Sequence, residues 1–311
     1  MKLIAAVVVP CASKKRVPAA NGLSASSLPI DAQALVEREW LNRLSDAQQG
    51  CPAEELYVGP TFRLARKVAL DADAPVFVVS AGLGLVAGHT PIPGYDLTLD
   101  PRDKQSVAKK VRGRFDRAQW WSSVAGGPFA TNWPEVFARD GLVLMALSQG
   151  YAQLISSDLE ALAPAQQQRL RLFGLGIEKA MPATLLKQVM PYDDRLDAIL
   201  PGTKTNFAAR AMGHFWRAGP PMTATGADHA FVERLLAEHK APTVVHRPRL
   251  DDEQLIKRIS QHLRTTSGIQ RILRRLRDED RVACEQRRFT RLYHVAVERK
   301  ARRGMMAERA A

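Results

Sequence analysis

The sequence predicts an α/β protein with a mostly parallel central sheet flanked by helices, followed by a helical extension of different character. Three observations carry that expectation. Apolar strand-like runs alternate with helical periodicities over roughly the first two hundred residues. Those runs are continuous rather than alternating, as in strands covered on both faces. After residue 250 the pattern becomes almost wholly helical and dense in arginine.

The opening run Leu3–Val9 is rich in valine and unbroken, and it leads into the polar, basic loop Pro10-Cys11-Ala12-Ser13-Lys14-Lys15. Such a start also resembles a signal peptide. The apolar stretch is only about seven residues, the minimum for one, and "SKKR" follows directly, so a buried strand is preferred. "DAQALVEREWLNRL" has helical spacing with Leu35, Trp40, Leu41 and Leu44 as its apolar stripe, and a second helix is entered at Pro60 within "LYVGPTFRLARKVAL". Strands are expected at Pro75–Val79, ending in Ser80-Ala81-Gly82, and at Leu142–Leu147, ending in Ser148-Gln149-Gly150 before the helical "YAQLISSDLEAL". A fourth, short strand is expected at Arg171–Ile177. Open α/β sheets bind ligands beyond the carboxyl ends of their strands. Cys11–Lys15, Ser80–Gly84 and Ser148–Tyr151 are therefore the expected site walls.

Composition narrows the partners. The 311 residues are 46% hydrophobic and 25% charged, an ordinary globular balance, but the net charge is +13. Clustered Lys and Arg gain affinity by displacing counterions from phosphates, so nucleic acid is the leading partner class. Three scattered cysteines, without a C-x-x-C pair, suit a reduced cytoplasm and neither a disulfide framework nor a structural zinc. No run approaches the roughly 20 apolar residues that span a bilayer. Neither a metal, a cofactor, a membrane nor an obligatory protein partner is expected.

The stretch "VFVVSAGLGLVAGHTPIPGYDLTL" contains G-x-G-x-x-A, the spacing of a dinucleotide loop. That loop needs a helix opening on its glycines, and Pro91 and Pro93 deny one. The glycines then serve either a tight strand exit with positive φ or the close approach of a ligand. The second reading is taken, with Gly82 at the ligand and the proline segment delivering Tyr95 and Asp96 to a planar ring.

"PCASKKR" after the first strand, "ELYVGPTFRLAR" on a helix, "VVSAGLGLV" followed by "YDLTL", and "LSQGYAQLI" after a later strand resemble a bacterial and phage family with a uracil-DNA-glycosylase-like core. Within it, the similarity is nearest to anti-phage glycosylases that excise glucosylated hydroxymethylcytosine. A more distant similarity is to the deazaguanine-modifying part of archaeosine synthase. The resemblance implies a DNA glycosylase that hydrolyses the N-glycosidic bond of a flipped, modified cytosine and leaves an abasic site.

Such chemistry needs a carboxylate to activate water or stabilise an oxocarbenium-like sugar, and donors to the departing base. Asp96 is the candidate carboxylate with Tyr95 beside it, unless Asp96 merely caps the turn opening "DLTLDPRDK". Cys11, Ser13, Lys14, Ser80, Gly82, Gln149 and Tyr151 are the candidate substrate contacts, with Cys11 read as a small buried residue rather than a nucleophile, since no partner base is evident. Lys15, Lys204 and Asn206 are the candidate phosphate contacts of the first domain. Thr203–Asn206 also reads as an ordinary helix cap before the core residues Phe207, Met212, Phe215 and Trp216, and His214 reads as packed among them. Water is the expected second substrate, because sequence alone places no lysine for Schiff-base chemistry. Two other readings share these residues: a deazaguanine-type base-exchange enzyme acting on DNA or tRNA, and a non-enzymatic, nucleotide-sensing DNA-binding regulator.

The expected domains are residues 1–240 and 250–311, separated by the proline-flanked "HKAPTVVHRPRL". From Asp251 to Ala311 sixteen Lys and Arg face nine Asp and Glu, a surplus of seven positive charges. "DDEQLIKRISQHL" offers Leu255, Ile256, Ile259 and Leu263 on one face behind an acidic first turn. "TTSGIQRILRRLRDED" is expected to start from a Ser267 cap, to bury Ile272, Leu273 and Leu276, and to present Arg271, Arg274, Arg275 and Arg277. The last helix adds Phe289, Leu292, Tyr293 and Val295 or Ala296. Three short helices with an arginine face resemble a helix-turn-helix DNA-binding module.

Overall fold

A computed structural model describes residues 4–222, 224–243 and 248–308, with side chains described as far as Arg302. Leu3 of the expected first strand and residues 244–247 of the expected linker lie outside the described residues. The chain divides into two compact units, Met1–Pro242 and Thr243–Ala311.

The first unit is α/β. Its sheet comprises β1 (Ile4–Pro10), β2 (Val76–Ser80), β3 (Gly84–Ala87), β4 (Leu142–Ala146) and β5 (Leu170–Phe173), in the spatial order β3-β2-β1-β4-β5. β1 runs parallel to both neighbours, with Val7 opposite Val76 on one side and Leu144 on the other, and β4 runs parallel to β5. Only β3 is antiparallel. Ala5 to Val9 are essentially sealed from solvent, which is why their sequence shows no polar alternation.

Helices α1 (Gln33–Ser45), α2 (Pro60–Asp71), α3 (Arg117–Ala125), α4 (Gln149–Glu160), α5 (Phe207–Ala218) and α6 (Thr225–Ala237) complete this unit. α2 and α5 pack together over β1, with α5 continuing onto β4 and β5. α3 packs against both α1 and α4 as a second group, and it also meets β3. Beneath the edge strand, Arg171 and Asp228 form a fully buried ion pair at 2.7 Å that ties β5 to α6.

Several expectations need correction. Val36, Trp40 and Leu44 form the buried face of α1, whereas Leu35 is exposed, because a 3.6-residue period places Val36, not Leu35, on the face of Trp40. The segment after β2 is a hairpin into β3 rather than an open loop, and α3 had no counterpart in the sequence reading. β5 ends at Phe173, since Gly174 turns beneath the Leu147 carbonyl, where a Cβ would lie 2.2 Å from its oxygen.

The second unit packs α7 (Asp252–His262), α8 (Ile269–Asp278) and α9 (Gln286–Glu308) around Leu255, Ile259, Ile272, Leu276, Phe289 and Leu292. Asp251 and Gln254 form a reciprocal capping box on α7. Ser267 does not cap α8. Gly268, at φ +98°, occupies that position with no side-chain bond, so the turn is made by backbone freedom instead.

Candidate functional site

The chain order defines a crevice. From β1 the chain passes to β2 on one side, whereas from β4 it passes to β5 on the other. Their outgoing segments therefore diverge above the carboxyl ends of β1 and β4, the switch point where open sheets take ligands. Cys11, one residue past β1, and Tyr151, in the first turn of α4 after β4, meet there, with Sγ and hydroxyl 3.1 Å apart. Beside them lies a cavity of about 540 Å³, lined by Thr98, Leu99, Asp100, Arg102, Arg117, Ser148 and Tyr151 among others. That size is within the usual range for a small-molecule or nucleoside pocket.

Behind Cys11 three hydroxyls form a directed chain. Ser80 Oγ accepts the backbone N–H groups of Gly82 and Leu83, at 3.2 and 3.1 Å. Its lone pairs are thereby used, so its proton goes to the Tyr95 hydroxyl at 2.6 Å, and Tyr95 donates onward to Tyr57 at 2.9 Å. Burial holds Tyr57, Tyr95 and Tyr151 well above the ordinary tyrosine range, and a neighbouring Cys11 charge would push each in the same direction. All three stay protonated as donors at neutral pH.

Lys15 covers this chain. Its Nζ stands 4.3 Å from the centroid of the Tyr95 ring and 5.9 Å from that of Tyr57. The loop is held there because the Arg16 N–H donates to Leu56 and the Val58 N–H donates to Lys14, placing Lys15 opposite Tyr57. Burial lowers its pKa, and the charges of Cys11 and Asp96 oppose that only in part. Its amine has no hydrogen bond or ion pair among the described residues.

Asp96 is placed by its backbone. Its N–H donates to the Leu23 carbonyl, and its own carbonyl accepts from Ala25, each at 2.8 Å. The half-buried carboxylate caps no turn or helix and has no hydrogen-bond or ion-pair partner among the described residues. The next carboxylate along the chain behaves differently. Asp100 is clasped by Arg102 through two 3.0 Å bonds, which hold it below the usual carboxylate range.

The glycine-rich stretch is not a ligand cradle. Ser80 pairs with Gly84 across a three-residue turn, and Gly84 takes φ +78°. Trp40 Nε1 donates to the Gly82 carbonyl at 2.7 Å and Trp120 Nε1 to that of Ala81 at 2.8 Å. A Cβ on Gly82 would touch the Tyr95 ring at 3.0 Å and Trp40 at 3.3 Å. Gly82 thus admits two protein rings, which corrects its expected contact with substrate; positive φ is needed at Gly84.

The other expected residues separate into groups. Cys11, Lys15, Ser80, Tyr95, Asp96 and Tyr151 belong to one neighbourhood, with Tyr95 offering a buried ring and hydroxyl rather than an open stacking face. Ser13 and Lys14 are exposed on the β1 loop, and Gln149 is exposed at the start of α4. Lys204 pairs with Asp194, while Asn206 accepts from the Thr203 N–H and from Arg210, so both are engaged within the fold. His214 is packed as expected, with Nδ1 2.9 Å from the Tyr192 hydroxyl. In the second unit Arg271 and Arg274 are exposed one turn apart, but Arg275 is bound to Glu279 and to Thr266.

Tyr57, Thr98, Arg102 and Arg117 were missed. Tyr57 lies in an irregular segment just before Pro60, and only the pairing of that segment with Lys15 reveals it. Arg117 opens α3 behind Asp116, a residue whose side chain caps two N–H groups and was a readable helix start.

Among the described residues, no group of three His, Cys, Asp or Glu side chains is placed to hold a metal, and no helix is long and apolar enough to cross a membrane. Residues 44–126 are similar to a family of unknown function, DUF6884. That stretch includes Tyr57, Ser80, Tyr95, Asp96 and Arg117. No curated protein and no solved structure matches the chain.

Proposed function

We propose that the chain is a DNA glycosylase of the uracil-DNA-glycosylase-like type, acting on a modified cytosine. The observation that carries this is Asp96: a carboxylate fixed by its backbone on both sides, unpaired, near the switch-point crevice of a parallel sheet. In the proposed reaction a water oxygen bonds to C1′ of an extruded nucleotide as the C1′–N bond breaks. The water proton passes to Asp96, and the bond pair leaves on the base. The Tyr151 hydroxyl is the donor available at the cavity for the departing base or its sugar substituent, and Arg117, on the cavity wall, is the candidate contact for a flanking phosphate, Arg102 being held by Asp100.

The resemblance in the β1 loop, the "YDLTL" segment and the β4 loop supports glucosylated hydroxymethylcytosine as the base, and with it a role against phages that carry it. We assign the second unit to helix-turn-helix-type binding of duplex DNA through Arg271 and Arg274, and the protein to the cytoplasm where such DNA enters. The test is incubation with DNA bearing glucosylated, hydroxymethylated or unmodified cytosine, followed by assay for free base and alkali-labile sites. Release from the glucosylated DNA alone is expected. Binding without release from any of the three would leave a regulator, and release only when a replacement base is added would leave an exchange enzyme.

A further inference from the structure

We propose that Lys15 is an amine nucleophile that forms a Schiff base with the C1′ aldehyde of an abasic site, giving the protein a strand-cleaving lyase activity. This rests on the reading of the crevice as a place where an abasic sugar is generated.

The geometry separates Lys15 from an ordinary phosphate-binding lysine. Such a residue keeps its ammonium in water and pairs with charge. Lys15 instead lies half-buried against the ring faces of Tyr95 and Tyr57, on a loop pinned by two backbone bonds, with no carboxylate in contact. Lys14, its neighbour, is exposed. Cys11, four residues earlier on the same loop, carries the bond to Tyr151, which lines the cavity. Lys15 therefore lies on the loop that meets the cavity wall through Cys11 and Tyr151. Partial burial favours the neutral amine that condensation needs and lowers the pKa of this group, although the charges of Cys11 and Asp96 oppose it.

Each step balances. Once the base has left and the sugar has opened, the Lys15 nitrogen bonds to C1′ and the carbonyl oxygen departs as water, leaving a protonated imine. That imine acidifies C2′–H, and Asp96 accepts the proton. The electrons form the C1′–C2′ enamine, and expulsion of the 3′ phosphate with the C3′–O bonding pair breaks the strand. Hydrolysis of the imine returns the free lysine. No oxidant or reductant is consumed.

Asp96 serves both steps in turn, first with water and then, after releasing that proton to solvent, with C2′–H, a reuse that its unpaired state permits. The hydroxyl chain Ser80–Tyr95–Tyr57 supports the platform from beneath and makes the position of the amine depend on two rigid rings rather than on a flexible side chain.

The experiment uses the full chain and DNA with a preformed abasic site, made beforehand by an unrelated uracil glycosylase acting on a uracil-containing duplex. Sodium borohydride is added to reduce any imine to a stable secondary amine. The wild type is expected to give a covalent protein–DNA product, with the adduct mapped by peptide mass spectrometry to Lys15, and to nick the same DNA when borohydride is omitted. Lys15→Arg, which keeps a cation over the rings, should lose both, while Lys187→Arg on the surface should keep both. No trapped product from the wild type, an adduct on another lysine, or trapping by Lys15→Arg equal to the wild type would overturn the inference. Mapping on the wild type decides it even if the variant fails to fold. Because the abasic site is supplied, the result is independent of base release: a protein that frees modified base but traps nothing keeps the glycosylase reading and loses this one.

Discussion

Tyr151 reaches across the crevice to Cys11 at 3.1 Å, and the two residues come from strands whose onward connections run in opposite directions. That one contact ties the switch point of the sheet to the cavity beside it. On the same loop, Lys15 lies 4.3 Å from the ring centroid of Tyr95, the neighbour of Asp96.

The buried tyrosines give the fold a defined alkaline limit. Burial raises Tyr57, Tyr95, Tyr151 and Tyr192 above their ordinary range. In the unfolded chain each ionises near pH 10, so the unfolded state sheds protons first. The stability these groups contribute is complete below about pH 10 and is lost progressively as the pH rises above that value towards their raised folded-state range. Lys15 acts in the opposite sense, because its lowered pKa makes the folded chain the first to release that proton. Urea unfolding at a series of alkaline pH values should show a steep fall beginning near pH 10. In Lys15→Met the fall should begin without the compensating rise. The phenolate absorbance of these four tyrosines should appear only as the protein unfolds.

Gly84→Ala should destabilise strongly. A left-handed φ costs a non-glycine residue about 1–3 kcal/mol. Here the added Cβ would also meet the Val124 carbonyl oxygen at 2.5 Å. Thermal unfolding checks this, and the comparison is Gly150→Ala, where a Cβ meets nothing within 4 Å.

The same hairpin shows where the sequence was legible and where it was not. β1 could be read because six consecutive buried residues, Ile4 to Val9, leave an unbroken apolar signature. The turn after β2 could not, since a hairpin and a phosphate loop both need glycines. What settles the matter are Trp40 and Trp120, bonded to the turn from 42 and 39 residues away. Cys11 and Tyr151 were recognisable because they follow strand ends, Ser80 because it closes one, and Tyr95 and Asp96 because a proline segment delivers them. Tyr57 was not, because it enters the site through an irregular segment, and Arg117 was passed over although the Asp116 cap before it marks a helix start. In α8 the spacing revealed the buried Ile272, Leu273 and Leu276, but it could not show that Arg275 turns back onto Glu279 and Thr266.

That last distinction can be measured. Arg271 and Arg274 are exposed with their guanidiniums free of protein partners among the described residues. If each meets one phosphate, Arg271→Ala/Arg274→Ala should lower the salt slope of duplex binding by about 2. Arg275→Ala should leave that slope nearly unchanged and reduce thermal stability instead. Fluorescence anisotropy across a salt series separates the two.

Asp96→Asn should slow base release by about 10²–10⁴-fold, the range expected for loss of a positioned acid–base group. Its unfolding temperature should barely move, because the carboxylate contacts no partner in the fold. The most direct measurement is the amount of free modified base, quantified by mass spectrometry under single-turnover conditions, from glucosylated hydroxymethylcytosine DNA with wild type and Asp96→Asn side by side. The account predicts release by the wild type, with matching alkali-labile sites, and almost none by the variant. A wild type that leaves every modified base attached, or a variant that releases base as fast, would contradict it.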